Sequence, residues 1–258
     1  MSLDRRTGIT VVVLLALTTL LILPARGRAD DDKELDLLIQ VAGDTNERED
    51  IRGGAIKKIG GLGAKGKKAV PTLVKVAQEQ ANNSLGEAAV VAIGNIGPEA
   101  KAAIPDLGAL LKEDAKADLR YVILVAFGKM GAEAKEAGPF MARTMKDALS
   151  HTYGTTTEPL LQEVHDDLCA LVVDQLEKMP AEASAVAMNE LDRYIRCLVS
   201  RDDKFVKPKG LVAAIRLLGK VGNDDAVMRL KRLLLSDDKV IKDAAAKALE
   251  DIKGREKK

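Results

Sequence analysis

Three stretches of the chain repeat one another at a fixed interval of 34 residues: Ile59-Gly60-Gly61-Leu62-Gly63, Ile93-Gly94-Asn95-Ile96-Gly97 and Phe127-Gly128-Lys129-Met130-Gly131. Each is followed by a segment rich in small residues and lysine that ends in proline, at Pro71, Pro105 and Pro139, again 34 apart. A constant interval of this size constrains the fold more than composition does. A unit that short cannot bury its apolar side alone, so it must stack on copies of itself, as in a solenoid.

The inside of each unit predicts two helices. In the first unit Ile51, Ala55, Ile56 and Ile59 fall at i, i+4, i+5 and i+8, a helix with one apolar face. Leu85, Ala88, Ala89, Val90, Val91 and Ile93 occupy the same frame in the second unit, and Leu119, Val122, Ile123, Leu124, Val125 and Phe127 in the third. The third set is apolar almost all round, as expected of an inner layer covered on both sides. The glycines that follow suit the end of a helix and a turn back, where positive φ is needed. Pro71, Pro105 and Pro139 then stand where second helices can begin, at 71–81, 105–112 and 139–149. Composition agrees: 47% of residues are apolar but only 2% aromatic. Thin helical layers can be filled by Ala, Val, Leu and Ile, whereas a compact globular core draws on aromatics.

The interval breaks after Leu149. Residues 150–159 are polar, Thr-rich and aperiodic, and read as a loop insertion. Helical patterning returns over 160–199, a divergent repeat in which Pro180-Ala181-Glu182-Ala183 echoes Gly131-Ala132-Glu133-Ala134 at a displacement of 49, which is 15 more than the interval. A second break covers 200–209. Residues 205–252 hold a C-terminal repeat, with Leu218-Gly219-Lys220-Val221-Gly222 in the turn position, and an amphipathic half-repeat from Asp238 to Ile252. A polar tail, 253–258, closes the chain, and residues 30–44 read as a capping helix at the other end. Polar terminal layers are what an open stack needs to shield its core.

The run from Ile93 to Leu111, Ile-Gly-Asn-Ile-Gly-Pro-Glu-Ala followed by Ile104-Pro105 and Leu110-Leu111, resembles a HEAT repeat. It is especially similar to the short HEAT-like repeats first associated with phycobilin lyases. Asp50 with Arg52 and Asp118 with Arg120 match an acid and an arginine common at the start of the family's first helix, while Gly86 interrupts that ladder in the second unit. The resemblance is strong over 45–149, moderate over 205–252 and one of register alone over 160–199. It implies an all-α, right-handed α-solenoid (an armadillo/HEAT-like superhelix) of about five helical-hairpin repeats. Tetratricopeptide repeats share the 34-residue length, but their early Trp has no counterpart in a chain without Trp, and Pro falls inside the unit.

Residues 1–29 read as a signal peptide. Arg5 and Arg6 precede an uncharged run from Ile9 to Leu23, and small residues at Gly27 and Ala29 suit cleavage before Asp30. The alternative is an uncleaved membrane anchor at 9–23, although 15 residues fall short of the roughly 20 that span a bilayer. Removing Arg5, Arg6, Arg26, Arg28 and Asp4 from the 40 basic and 39 acidic residues leaves 36 and 38, a net charge of −2. That balance argues against nucleic acid, which selects strongly basic surfaces. The expected location is the periplasm or extracellular space. An oxidising compartment permits Cys169 and Cys197 to pair, yet their unequal distances from the turn at Met179-Pro180 favour two free thiols packed as small hydrophobes.

Chemistry-bearing residues are few. His165 with Asp166 and Asp167 offers metal-ligand types, but consecutive helical residues diverge, so a solvated helix is favoured. HEAT-type iron hydroxylases rely on His-Glu pairs, and the chain has none. A bilin-lyase-like or other small-molecule-handling activity is implied by resemblance alone. Lys65, Lys67 and Lys68 read as a solvated turn, because the equivalent positions of later units carry Glu99, Lys101, Glu133, Lys135 and Glu136. Asn82-Asn83-Ser84 is a glycosylation sequon, meaningful only in a host that glycosylates exported proteins.

The expectation is a non-catalytic, exported scaffold that binds another protein, with no cofactor and no metal. Its candidate contact residues are Thr72, Lys75, Gln78 and Glu79 on one second helix, and Asp106 and Lys112 on the next. His151 and Tyr153 join them from the insertion, which is either a binding loop or a spacer.

Overall fold

The structure is a computed structural model that describes residues 28–112, 115–154, 159–199 and 210–256. The chain divides at Leu37. Of the first unit, residues 28–37 are described, all within helix α1 (Arg28–Gly43). The second unit, Leu38–Lys258, holds the repeats.

Three helix pairs follow one plan: α2 (Glu49–Gly61) with α3 (Val70–Glu79), α4 (Ser84–Ile96) with α5 (Ile104–Leu110), and α6 (Ala117–Met130) with α7 (Gly138–Gly154). Between the members of each pair lies a seven-residue 3₁₀ segment, at Gly63–Ala69, Gly97–Ala103 and Gly131–Ala137. The two conserved-spacing glycines of each unit do different jobs. The second stands at positive φ, +54° at Gly63, +76° at Gly97 and +57° at Gly131, where a Cβ would be strained. The first lies in the helix and makes room: a Cβ on Gly60 would sit 3.0 Å from Ala92 Cα, and one on Gly94 3.0 Å from Ala126 Cα. First helices therefore stack backbone against backbone, in the order α2, α4, α6.

That stack continues through α8 (Pro159–Glu177), α11 (Leu211–Val221) and α13 (Lys239–Glu256). Their partners are α9 (Ala181–Val186) with α10 (Met188–Val199), and α12 (Asp224–Leu233). Of the positions expected from the periodicity, Val91 is exposed, whereas Ile56, Ile59, Ile93, Ile123, Leu124 and Phe127 are fully buried, joined by Leu73, Ile104 and Leu107 of the second helices. Each such side chain contributes about 1.5–3 kcal/mol on burial. Among the described residues there are no strands, and the fold is an all-α solenoid.

Cations from one layer satisfy carbonyls left open at helix ends of the layer before it. Arg52, 3% exposed, donates from Nε to Ala42 O at 3.1 Å. Arg143 donates to Gly108 O and Leu111 O at 3.0 and 2.9 Å, and Lys220 to Met179 O at 2.7 Å. Arg255 reaches Gly219 O at 2.6 Å and Gly222 O at 2.8 Å. The last carbonyls of a helix have no partner inside it and carry the negative end of its dipole, so a guanidinium or ammonium there is stabilising twice over. Gly86, at the position of Arg52 and Arg120, is explained by the preceding turn: a Cβ there would collide with Gln80 O.

Several boundaries differ from the sequence expectation. The loop insertion expected at 150–159 is helical as far as Gly154, and α8 begins at Pro159; 155–158 lie outside the described residues. At the start of this stretch Ala148 and Leu149 are buried, and the exposed Ser150 bonds locally, from Oγ to Lys146 O at 2.8 Å. The polar tail expected at 253–258 is helical to Glu256, since Arg255 anchors the last turn of α13 on α11. In the fourth unit Pro180 takes the place of Gly131. Proline cannot reach positive φ; it sits at φ −65°, ψ 157°, and precedes a short α-helix where the three regular units have 3₁₀. Gly222 is likewise extended, at φ −65°, and passes directly to Asn223, whose side chain caps α12. The break expected at 200–209 and residues 1–27 of the signal peptide expected at 1–29 lie outside the described residues, while Arg28 and Ala29 open helix α1, two residues before the capping helix expected at 30–44.

Candidate interaction surface

The second helices carry the residues expected to meet a partner. Lys75, Gln78 and Glu79 are exposed on α3, and Asp106 is exposed on α5. Gln78 Nε2 donates to Asp106 Oδ1 at 2.9 Å, joining the two layers, while Lys75 and Glu79 form an i,i+4 ion pair at 3.7 Å. Both contacts are solvent-facing and can be exchanged for contacts to a partner at little cost. Lys112 is exposed just beyond α5. Thr72 differs: it is half-buried and packs its methyl toward Gly43, where a Cβ would lie 3.2 Å from Thr72 Cγ2. Its methyl thus faces the last residue of α1 rather than solvent. His151 and Tyr153 fall on the last turn of α7, and their side chains lie outside the described residues.

The turn edge holds an ordered set of charges that the sequence reading treated as unconnected. Lys67 donates to Glu99 at 2.5 Å and Lys101 to Glu133 at 2.6 Å, each pair joining one 3₁₀ segment to the next. Lysine of one unit meets glutamate of the following one because those positions lie two apart within a unit and 32 apart between units. The bond that Lys101 donates to Glu133, with the charge of that carboxylate, raises the Lys101 pKa, and Lys101 in turn lowers that of the Glu133 carboxyl. Lys129 Nζ to Asn95 Oδ1, at 2.7 Å, repeats the theme on the first helices. The signal that could have revealed this ladder is the alternation of sign at fixed register.

Cys169 and Cys197 are not joined in a disulfide; the first is buried and the second half-buried. Burial, aided by the nearby Asp166, pushes the Cys169 thiol far above its ordinary value and keeps it protonated. Among the described residues no three His, Cys, Asp or Glu side chains converge as metal ligands. No helix among them is long and apolar enough to cross a membrane; residues 9–23 lie outside that set.

Comparison with known proteins places this geometry in a class. Residues 35–128 match the HEAT repeats family. Two engineered proteins solved by the Northeast Structural Genomics Consortium share the fold. One has a TM-score of 0.54 at 19% identity, over 86% of this chain and 97% of its own. The other also has a TM-score of 0.54, at 20% identity, over 85% and 58%. A designed armadillo repeat protein, solved in complex with the peptide (KR)4, aligns with a TM-score of 0.54 at 17% identity, over 85% and 99%. No curated protein matches the chain.

Proposed function

We propose that this chain is an exported, non-catalytic scaffold that binds another protein on the exposed surface of its second helices. The observation that carries the proposal is the register of Lys75, Gln78, Glu79 and Asp106. These polar side chains stand exposed on successive layers, and the bonds Gln78–Asp106 and Lys75–Glu79 between them lie at the surface. Stacked helical hairpins offer such side chains on a rigid support, so binding loses little conformational entropy. A designed relative of similar fold binds a peptide, in keeping with this use of the architecture.

The test replaces Lys75, Gln78, Glu79 and Asp106 together by Ala and compares the proteins that co-purify with the mature chain and with the variant. Loss of at least one partner is expected; retention of every partner would move the binding surface elsewhere. Export is tested by sequencing the N-terminus of the purified protein. A start at Asp30 is expected, whereas an intact residue 1 in the membrane fraction would replace the signal peptide by an anchor.

A further inference from the structure

We propose that the solenoid carries a built-in hinge at the junction between its third and fourth units, where the first helices α6 and α8 part while the units on either side move as two blocks. Such a hinge is a property of the frame and is independent of which surface meets a partner.

On either side of this junction the first helices meet backbone to backbone. A Cβ on Gly60 would lie 3.0 Å from Ala92 Cα and one on Gly94 3.0 Å from Ala126 Cα. In the C-terminal part, one on Gly219 would lie 2.7 Å from Ala248 Cα. Main chains that close cannot slide without collision, and parting them by even a fraction of an ångström forfeits dispersion energy along the seam. Above Gly128 the approaching atoms belong instead to the side chain of Gln175. Gln175 is 3% exposed and stands on α8 where the regular layers have alanine. Its amide hangs from the backbone by rotatable bonds, so a change of rotamer moves it aside with both helices intact.

The hydrogen bonds of Gln175 do not tie α8 to α6. Its Nε2 donates to Asp174 and its Oε1 accepts from Lys178, both in its own unit. Parting the two helices breaks neither bond, and water that enters the gap meets an amide, which it solvates. The turn edge agrees. Lys67–Glu99 and Lys101–Glu133 bridge the first three units, whereas among the described residues no bond joins Lys135 to Glu182, the counterpart of Glu133. The other face of α8 is tied down. Glu177 stands where α2, α4, α6 and α11 have their stacking glycine, and it pairs with Arg216 of α11 at 3.3 Å. Lys220 of α11 also donates to Met179 O at 2.7 Å. The fourth unit therefore moves with the fifth, and compliance is confined to its contact with the third. Helix α7 packs along α8 and serves as the pivot. Opening between α6 and α8 then bends the stack toward its second helices.

Pulsed electron double resonance on the full mature chain reads the hinge as the width of the distance distribution between two nitroxide labels. Cys197→Ser removes the accessible thiol, and the buried Cys169 stays. Three label pairs occupy exposed positions of the first helices, and each spans two junctions. Gly54→Cys with Tyr121→Cys covers the first three units. Val91→Cys with Asp167→Cys crosses from the third unit to the fourth, and Asp167→Cys with Lys247→Cys covers the remainder. The Val91–Asp167 distribution is expected to be at least about twofold wider than either of the others. Gln175→Ala, which sets the alanine of a regular layer above Gly128, is expected to narrow it to their width. Rotamers of the label broaden all three pairs alike, and an unchanged helical spectrum with a cooperative urea transition will show that each variant folds. Equal widths for the three pairs, or the greatest width between Asp167 and Lys247, would overturn the proposal. So would a Val91–Asp167 distribution that a folded Gln175→Ala chain does not narrow. If that variant fails to fold, the three widths of the parent chain still decide.

Discussion

The junction between the second and third units and the junction between the third and fourth begin from the same residue and end differently. Gly94 of α4 rests on Ala126 of α6, with a would-be Cβ 3.0 Å from the Ala126 Cα. Gly128 of α6 keeps the glycine, but the place of Ala126 is taken 49 residues on by Gln175, and a Cβ on Gly128 would strike the Gln175 amide. Gln175 is buried, donates to Asp174 Oδ2 at 2.7 Å and accepts from Lys178 Nζ at 3.2 Å. The first junction is a dry contact between backbones; the second seats a polar side chain against the glycine. The same two residues bracket the change in interval. Stacking tolerates an irregular unit provided that the space above each glycine is filled.

The largest expected effect lies at the regular junction. Gly94→Leu would force α4 and α6 apart and should destabilise the chain by about 3 kcal/mol in urea unfolding. A loss below about 1 kcal/mol would mean that the two backbones do not meet. Next comes the turn: Gly97 is at φ +76°, ψ −140°, so Gly97→Ala should cost about 2 kcal/mol. Pro180 occupies the corresponding place in the fourth unit without positive φ, which makes the penalty specific to regular units.

A double-mutant cycle addresses the polar junction. Gly128→Ala should destabilise the wild-type chain and be better tolerated beside Gln175→Ala, with a coupling on the order of 1 kcal/mol. Additive effects would show that Gln175 does not occupy the space above Gly128. In the divergent unit, a thiol reagent under native conditions should modify Cys197 alone, with Cys169 reacting only on unfolding. Because burial raises the Cys169 pKa, the folded state holds that proton more tightly than the unfolded state. Stability from this group is present below the ordinary thiol value of 9.0 and declines as pH rises past it.

The smallest effect belongs to the turn ladder. Glu133→Gln should leave the urea midpoint unchanged within error at physiological salt, since both partners of Lys101–Glu133 are exposed. Any contribution this carboxylate makes at low salt is present above the usual carboxylate range and lost as pH falls through it, because its folded pKa is lowered. A large shift would show that the ladder matters more to stacking than the glycine contacts do.

Much of this was legible in the residues. The three regular units were visible because every copy repeats its apolar frame, its two glycines and its proline, so one physical rule is written three times. The two tasks of the glycine pair were not separable in sequence: Gly94 and Gly97 differ in backbone angle and in what approaches them, and neither is a property of glycine. The helix through Ser150–Gly154 was hidden because its residues are polar and aperiodic and simply continue the helix whose last buried residues are Ala148 and Leu149. On the candidate surface, Lys75, Gln78, Glu79 and Asp106 stood where helical period placed them. Thr72 turned inward because Gly43 left room for its methyl.

The sequence by itself determined the class of fold, since a 34-residue unit with a one-sided apolar frame can be satisfied only by stacking. Local chemistry also set where helices start, through Asn83, Asn223 and the prolines. Tertiary structure decided which neighbour each unit touches and how. It made Gly60 and Gly94 contact points, joined Lys67 to Glu99, and set Arg196 and Arg229 on one carboxylate. Those outcomes depend on residues about a repeat length apart being brought within bonding distance, which chain order alone does not encode.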